Sequence, residues 1–248
     1  ARSLRPQSRP PAGLGVRPVS RPSFADLLAR SELGGTVGFV VRDVETGAEI
    51  ANENGDVALP PASVTKAVTA LYGLETLGPD FRFETKVLAL GPVVDGVLEG
   101  DLLLAGSGDP QLSTDDLISL RSALLEQGLR EVKGRFLVWG GAIDRIAEIE
   151  PSQLDHLGYN PSVGGLNLNY NRVHFEWERQ GSGYRVQMDA RGRTEVPLVK
   201  MARMEVVERS GPVFAYEDGG GVDQWSVARS ALNNEGSRWL PVRYTELY

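Results

Sequence analysis

The sequence predicts a mixed α/β protein of the α+β kind, in which helices and strand-rich regions occupy different stretches of the chain. Two segments, 64–77 and 114–125, carry apolar residues at the three- and four-residue spacings that are typical of amphipathic helices. Several other segments alternate apolar and polar residues between glycines or prolines, which is typical of strands. With 248 residues, 41% of them hydrophobic, the chain can bury one large core or two modest ones.

Composition excludes several classes of function. The chain carries 26 Lys and Arg against 33 Asp and Glu, a net charge of -7, which disfavours nucleic acid or an anionic membrane as partner. No apolar run approaches the length of a transmembrane helix. The lack of cysteine excludes thiol catalysis and disulfides. The two histidines, His156 and His174, fit neither a metal-ligand spacing nor a local Ser-His-Asp signature, so no metal or other cofactor is predicted.

The N-terminal region begins with a basic arm. Residues 1–22 contain five Arg, five Pro and no acidic residue, which predicts a flexible segment that either touches an acidic surface or is simply solvated. A short helix is predicted over Phe24 to Ala29, and Gly34-Gly35 ends it. A hairpin follows, with strands at 36–44 and 49–52.

The next stretch, Pro61-Ala62-Ser63-Val64-Thr65-Lys66, leads into the first long helix. The prolines suit a helix threshold but not its interior, so Ser63 is predicted in or just before the first turn. Residues three apart share a helix face, so the Lys66 amine can reach the Ser63 hydroxyl. Ser63 is therefore a candidate nucleophile and Lys66 its candidate base. The alternative is a helix cap followed by a surface lysine.

The remaining chain is predicted to be rich in strands, with a second helix over 114–125. Asn167, Asn169 and Asn171 would alternate with Leu166, Leu168 and Tyr170 on a strand, where they either satisfy neighbouring backbone groups or bind a ligand. A further segment is predicted to begin at Trp239. The predicted strands lie at 83–90, 97–104, 134–139, 166–170, 175–177, 184–188 and 204–207.

Three motifs resemble one known family in their order and spacing. They are Pro61-Ala-Ser63-Val-Thr-Lys66, then Gly100-Asp101-Leu with Gly108-Asp109-Pro110, then Gly165-Leu-Asn-Leu-Asn-Tyr-Asn-Arg172. Over residues 36–248 the chain resembles the class C low-molecular-mass penicillin-binding proteins, the penicillin-binding protein 4 type of D-alanyl-D-alanine carboxypeptidase and endopeptidase. The resemblance implies a split serine transpeptidase or β-lactamase-like domain, interrupted by a strand-rich insertion.

The resemblance also implies a domain organisation. After the arm at 1–22, residues 23–78 would begin the catalytic domain, 79–238 would form the inserted accessory domains, and 239–248 would start the return. The family's Ser-x-Asn and Lys-Thr-Gly motifs are missing from the 248 residues. We therefore expect either a fragment whose site is completed by a second chain, or a chain that is catalytically incomplete by itself.

The function implied by the resemblance is cleavage of peptidoglycan stem peptides through an acyl-enzyme on Ser63, with Lys66 as base and β-lactams as inhibitors. Such a protein would act in the periplasm, as an exported mature form without its signal peptide. Two alternatives stay open. One is a non-catalytic module that binds the cell wall or a partner, and the other is a β-lactamase, which shares the Ser-x-x-Lys chemistry.

Overall fold

The computed structural model describes residues 22–243, which belong to two compact units that meet in sequence between Pro79 and Asp80. Nearly all of the predicted basic arm, residues 1–21, lies outside the described residues, and so do residues 244–248. The mixture of helices and strands predicted from the sequence is confirmed.

The first unit contains two helices and one hairpin. Helix α1 (Phe24–Ser31) starts at a capping box, in which Ser23 and Asp26 satisfy each other's backbone N–H groups. Strands β1 (Phe39–Arg42) and β2 (Glu49–Glu53) pair antiparallel. A 3-10 turn (Ala62–Val64) then leads into helix α2 (Thr65–Leu77). The predicted helices and hairpin are confirmed, with a first strand that is shorter than predicted and a second strand that is one residue longer.

The first part of the second unit builds two small sheets and one helix. The strands are β3 (Lys86–Leu90), β4 (Val93–Val94), β5 (Val97–Leu98), β6 (Asp101–Ala105), β7 (Glu131–Val132) and β8 (Phe136–Trp139). Helix α3 (Thr114–Glu126) crosses between β6 and β8, which are parallel neighbours in the sheet β3-β6-β8. The other sheet has the order β4-β5-β7.

The single strand predicted over 97–104 is wrong, because the chain breaks it into β5 and β6 at Glu99-Gly100. The backbone of Gly100 passes so close to Leu90 that a Cβ would lie 2.2 Å from the Leu90 carbonyl oxygen. The glycine therefore allows two strand segments to meet at a tight corner.

The second part of this unit carries the main core. The strands are β9 (Arg172–Gln180), β10 (Gly183–Asp189), β11 (Ala202–Val207), β12 (Phe214–Asp218), β13 (Asp223–Ala228) and β14 (Glu235–Pro241). They form two three-stranded sheets with the orders β10-β9-β14 and β11-β13-β12. Phe175, Trp225 and Leu240 are completely buried between these sheets. Trp239 lies within β14, paired with His174, so the strand starts four residues before the predicted segment.

The alternating strand predicted over 166–170 is wrong. Asn169, Tyr170 and Asn171 form a 3-10 turn with φ values of 52°, 60° and 47°. Asparagine tolerates this left-handed region better than most residues, so a run of alternating asparagines favours a turn here. Leu166 is buried, whereas Tyr170 on the supposed same face is exposed.

No helix among residues 22–243 is both long and apolar enough to cross a membrane. Over the same residues, no group of three or more His, Asp or Glu side chains is arranged to hold a metal ion.

Candidate active site

Ser63 and Lys66 lie together at the start of α2. Ser63 is the middle residue of the 3-10 turn, and Lys66 is the second residue of the α-helix. Pro61 precedes the turn, and Ala62 has a φ of 44°, a left-handed value that non-glycine residues adopt at a cost of about 1–2 kcal/mol. This backbone bend places the serine at the point where the helix begins.

The two side chains are in direct contact. The Lys66 amine donates a hydrogen bond to the Ser63 hydroxyl, with 2.8 Å between Nζ and Oγ. This distance is within the range in which a base can take the proton of a nucleophile. The N–H groups of Val64 and Thr65 donate to carbonyl oxygens of the preceding 3-10 turn. The positive end of the helix dipole is still a favourable place for a developing negative charge.

The apolar face of α2 is exposed. None of its residues is buried, and Val68, Leu71 and Leu74 are each more than half exposed. Ser63 and Lys66 are exposed as well. A lysine amine accepts a proton only when it is neutral, and burial favours the neutral form. The described residues therefore bring the candidate nucleophile and its candidate base into contact, without an apolar cover around them.

The glycine-rich segment at 106–110 has a structural role, because it contacts the backbone of the third motif. Gly108 has a φ of 93°, and its N–H donates to the Gly165 carbonyl oxygen over 2.6 Å. A Cβ on Gly106 would lie 2.3 Å from the same oxygen. Asp109 accepts a hydrogen bond from the Gln111 N–H and forms a β-bridge with Leu166. The second motif thus holds the third motif against the end of β6.

The asparagines of the third motif satisfy backbone and side-chain partners within the fold. Asn171 donates to the Ser162 carbonyl and to Asn167 Oδ1 at 2.9 and 2.8 Å, and accepts from the Leu168 N–H. Asn169 accepts from the Thr114 N–H and donates to the Thr114 hydroxyl at the start of α3. Of the two interpretations drawn from the sequence, these contacts support the structural one.

A cleft beside these motifs was missed from the sequence. It has a volume of about 430 Å³, and its lining includes Gly108, Asn167 and Arg172 from the motifs together with the exposed rings of Tyr159 and Tyr170. The Arg172 guanidinium lies 4.9 Å from the centre of the Tyr170 ring. Turn residues around Tyr159 were the only local signal, and they predict a loop without predicting which loop it meets.

Comparison with known proteins gives a consistent result. The sequence model of the D-Ala-D-Ala carboxypeptidase 3 (S13) family matches residues 21–211. The D-alanyl-D-alanine carboxypeptidase DacB of Haemophilus influenzae is 34% identical over 120 residues, which cover 46% of this chain and 25% of that protein.

Two crystal structures of penicillin binding protein 4 (dacB) from Haemophilus influenzae share the fold, with TM-scores of 0.64 and 0.62 and sequence identities of 21% and 20%. The second of them is complexed with a novel β-lactam. Both matches cover 91% of this chain, but only 51% and 50% of the solved chains. The chain thus spans about half the length of the solved relative it matches.

Proposed function

The chain belongs to the D-Ala-D-Ala carboxypeptidase 3 (S13) family, and on this premise we propose that it carries the nucleophile of a serine-type D-Ala-D-Ala carboxypeptidase or endopeptidase. The substrate class is the peptide stems of peptidoglycan. The observation that carries the proposal is the 2.8 Å contact between Lys66 Nζ and Ser63 Oγ at a helix start, inside the region that matches the family.

The proposed reaction is an acyl transfer through Ser63. Neutral Lys66 takes the hydroxyl proton while Ser63 Oγ attacks the carbonyl carbon of the D-Ala-D-Ala bond. The tetrahedral intermediate collapses as the C–N bond breaks, and the leaving amine of the terminal D-Ala receives the proton held by Lys66. Water then attacks the ester carbonyl carbon and gives a proton to Lys66, which passes it to Ser63 Oγ as the ester C–O bond breaks and the shortened peptide leaves as an acid. No cofactor takes part in these steps.

The proposed site needs further groups for the oxyanion and the substrate. The Ser63 N–H at the helix start would supply one donor to the oxyanion, and a strand outside these 248 residues would supply the second. Members of the family are expected to use a Ser-x-Asn and a Lys-Thr-Gly motif, which are absent from the sequence. We propose that a further polypeptide segment or a second chain provides both motifs and covers the apolar face of α2.

The proposal includes a domain organisation and a location. Residues 23–78 would form the first part of a split catalytic domain, 79–238 the inserted accessory domains, and 239–248 the start of the return. The protein would act in the periplasm as an exported mature form. A β-lactam would acylate Ser63 and remain there, which agrees with the β-lactam complex of the solved relative.

Intact mass spectrometry with benzylpenicillin tests the proposal. The 248-residue chain is measured alone and mixed with a polypeptide that carries the two missing motifs of the family, and any adduct is mapped to a peptide. We expect an adduct on Ser63 in the mixture, and none after Ser63→Ala. Ser31→Ala is the matched control, because Ser31 is also an exposed serine at a helix end in the first unit. Labelling that persists in the Ser63→Ala variant would overturn the assignment.

A non-catalytic module that binds the cell wall or a partner is the second candidate. The exposure of Ser63 and Lys66 and the two missing motifs favour it for the chain by itself. Retention on purified peptidoglycan without an adduct, in the chain alone and in the mixture, identifies this function. Rapid hydrolysis of the β-lactam in the mixture, without a stable adduct, identifies a β-lactamase instead.

A further inference from the structure

An apolar groove lies between helix α3 and the sheet β3-β6-β8. Its volume is about 520 Å³, which is within the range of roughly 300–1,000 Å³ found for small-molecule sites. Most of its lining is aliphatic or aromatic. The apolar lining residues include Leu104, Leu117, Leu120, Leu125 and Phe136.

The groove exists because only one end of α3 is packed onto a core. Leu117 and Leu120 contact the small cluster around buried Leu104. Towards the other end of the helix, Leu125 is 44% exposed, and Phe136 on the facing strand is 59% exposed. Apart from Thr114 at its start, no residue of α3 is buried. Apolar surface left in water on both walls of the groove favours an apolar occupant.

Positive charge lies at the exposed margin of the groove. Arg121 and Arg130 line it, and both residues are exposed. Among residues 22–243, neither guanidinium has a hydrogen bond or an ion pair. The lining holds one carboxylate, Glu131, whose charge adds to the hydrogen bond and the charge of Glu99 in raising the pKa of Lys133. Two guanidinium groups against one carboxylate favour an anionic head group, since the planar guanidinium pairs well with carboxylate and phosphate oxygens.

We propose that this groove binds a single-chain aliphatic anion, with the chain between α3 and the sheet and the head group at Arg121 and Arg130. The two guanidinium groups that line the groove favour an anionic aliphatic chain over an uncharged apolar occupant. The site lies wholly within the second unit and does not depend on the chemistry of Ser63.

Isothermal titration calorimetry with dodecyl phosphate and dodecanoate, below their micelle concentrations, tests the proposal. We expect one binding site per protein chain. The ligand that binds more tightly shows whether the site prefers a phosphate or a carboxylate head group. Decyl and octyl phosphate should bind progressively more weakly, by about three- to fourfold for each methylene removed from the groove. Dodecyltrimethylammonium, with the same chain and the opposite charge, should bind at least tenfold more weakly than dodecyl phosphate.

Charge reversal separates this site from non-specific detergent binding. The double variant Arg121→Glu/Arg130→Glu should weaken dodecyl phosphate binding by about tenfold or more, and should bring the affinity for the cationic analogue up to or above that for dodecyl phosphate. Arg203→Glu, an exposed arginine on β11, is the matched control and should leave both affinities unchanged. Both margin arginines are exposed, so we expect the double variant to keep its circular dichroism spectrum.

Several results would overturn the proposal. The anionic and cationic ligands could bind equally well, or the affinity could be independent of chain length. The double variant could also bind dodecyl phosphate as tightly as the original protein. The groove could instead be occupied by a second copy of the protein. Analytical ultracentrifugation would then show a dimer that the variant Leu125→Glu dissociates, and this result would also overturn the proposal. Ser63→Ala should not change binding, so failure here and failure of the acyl-enzyme proposal are distinguishable.

Discussion

At the scale of single residues, the contact between Lys66 and Ser63 sets the requirements for the proposed catalysis. The amine donates to the hydroxyl over 2.8 Å, and the proposed reaction needs the opposite direction of proton transfer. Arginine at position 66 would keep a donor near Ser63 but could not accept its proton. We expect Lys66→Arg and Lys66→Ala to slow acylation by benzylpenicillin by about 10²–10⁴-fold in the mixture that contains the missing motifs.

The rate of adduct formation by mass spectrometry measures this effect. Lys86→Ala removes an exposed lysine that pairs with Glu84, and it should leave the rate unchanged. A Lys66→Arg variant that is acylated at the original rate would show that another group is the base.

Asn171 concentrates several buried hydrogen bonds in one side chain. It forms hydrogen bonds with Ser162, Asn167 and Leu168, and the backbone φ of Asn171 is 47°. Asn171→Ala would leave buried polar groups unpaired in a left-handed turn, so we expect a loss of about 3 kcal/mol in the free energy of unfolding. Urea denaturation followed by tryptophan fluorescence measures it. Asn233→Ala, at an exposed site, should change stability by less than about 0.5 kcal/mol.

His174 gives the stability of the second unit a pH dependence. Burial and the charge of Arg191 lower the pKa of His174 below its usual 6.5, against the opposing effect of Asp189. As the pH falls through 6.5, the unfolded chain takes up a proton that the folded chain resists. The stabilisation is therefore complete above pH 6.5 and declines below it.

We expect the variant His174→Gln to lose less stability than the original protein between pH 7 and pH 5, measured by urea denaturation at each pH. His156, whose pKa is also lowered by burial, contributes in the same direction. The variant His156→Gln should therefore still show the loss of stability between pH 7 and pH 5 that is due to His174. Equal declines in the original protein and in His174→Gln would contradict this role.

At the scale of elements, the start of α3 links the two halves of the second unit. The Ser113 hydroxyl accepts from the Asp116 N–H, while Asp115 accepts from the backbone N–H groups of Arg193 and Thr194.

We expect Ser113→Ala to reduce stability by about 1 kcal/mol, because it removes the helix cap. Ser122→Ala, the same substitution inside α3, should be neutral or stabilising by up to about 0.5 kcal/mol. Thermal unfolding of the two variants compares them, and equal losses would show that capping is not the cause.

Elements with a strong local pattern were predictable from the sequence, and those defined by distant partners were not. The helices α2 and α3 follow from their apolar spacing, and the contact of Ser63 with Lys66 follows from the geometry of one helical turn. The two-residue strands β4 and β7 are too short to show alternation. The turn at 169–171 alternates like a strand, but its buried partners at Thr114 and Ser162 lie elsewhere in the chain. The asparagines tolerate the left-handed turn, and these partners, which the local pattern does not show, stabilise it over a strand.

At the scale of the whole molecule, the two units differ in how much of their surface is buried. The second unit has a core that includes completely buried Phe175, Trp225 and Leu240. In the first unit, none of residues 22–79 is buried, although α2 has the apolar spacing of a helix that packs onto a core. Sequence periodicity predicts that an apolar face is to be covered, but it does not say which polypeptide segment covers it.

This difference predicts unequal protection from hydrogen exchange in the 248-residue chain. We expect the amides of β9, β13 and β14 to exchange slowly, and those of α2 to exchange orders of magnitude faster, because few buried contacts oppose the opening of α2. Hydrogen–deuterium exchange mass spectrometry measures both regions in one sample. Addition of the polypeptide that carries the missing motifs should slow exchange in α2 and leave β13 unchanged, because the proposed partner covers the helix that bears Ser63 and Lys66. Slow exchange in α2 without any partner would show that the helix is stable by itself. The apolar face would then give no support to a second segment of the catalytic domain.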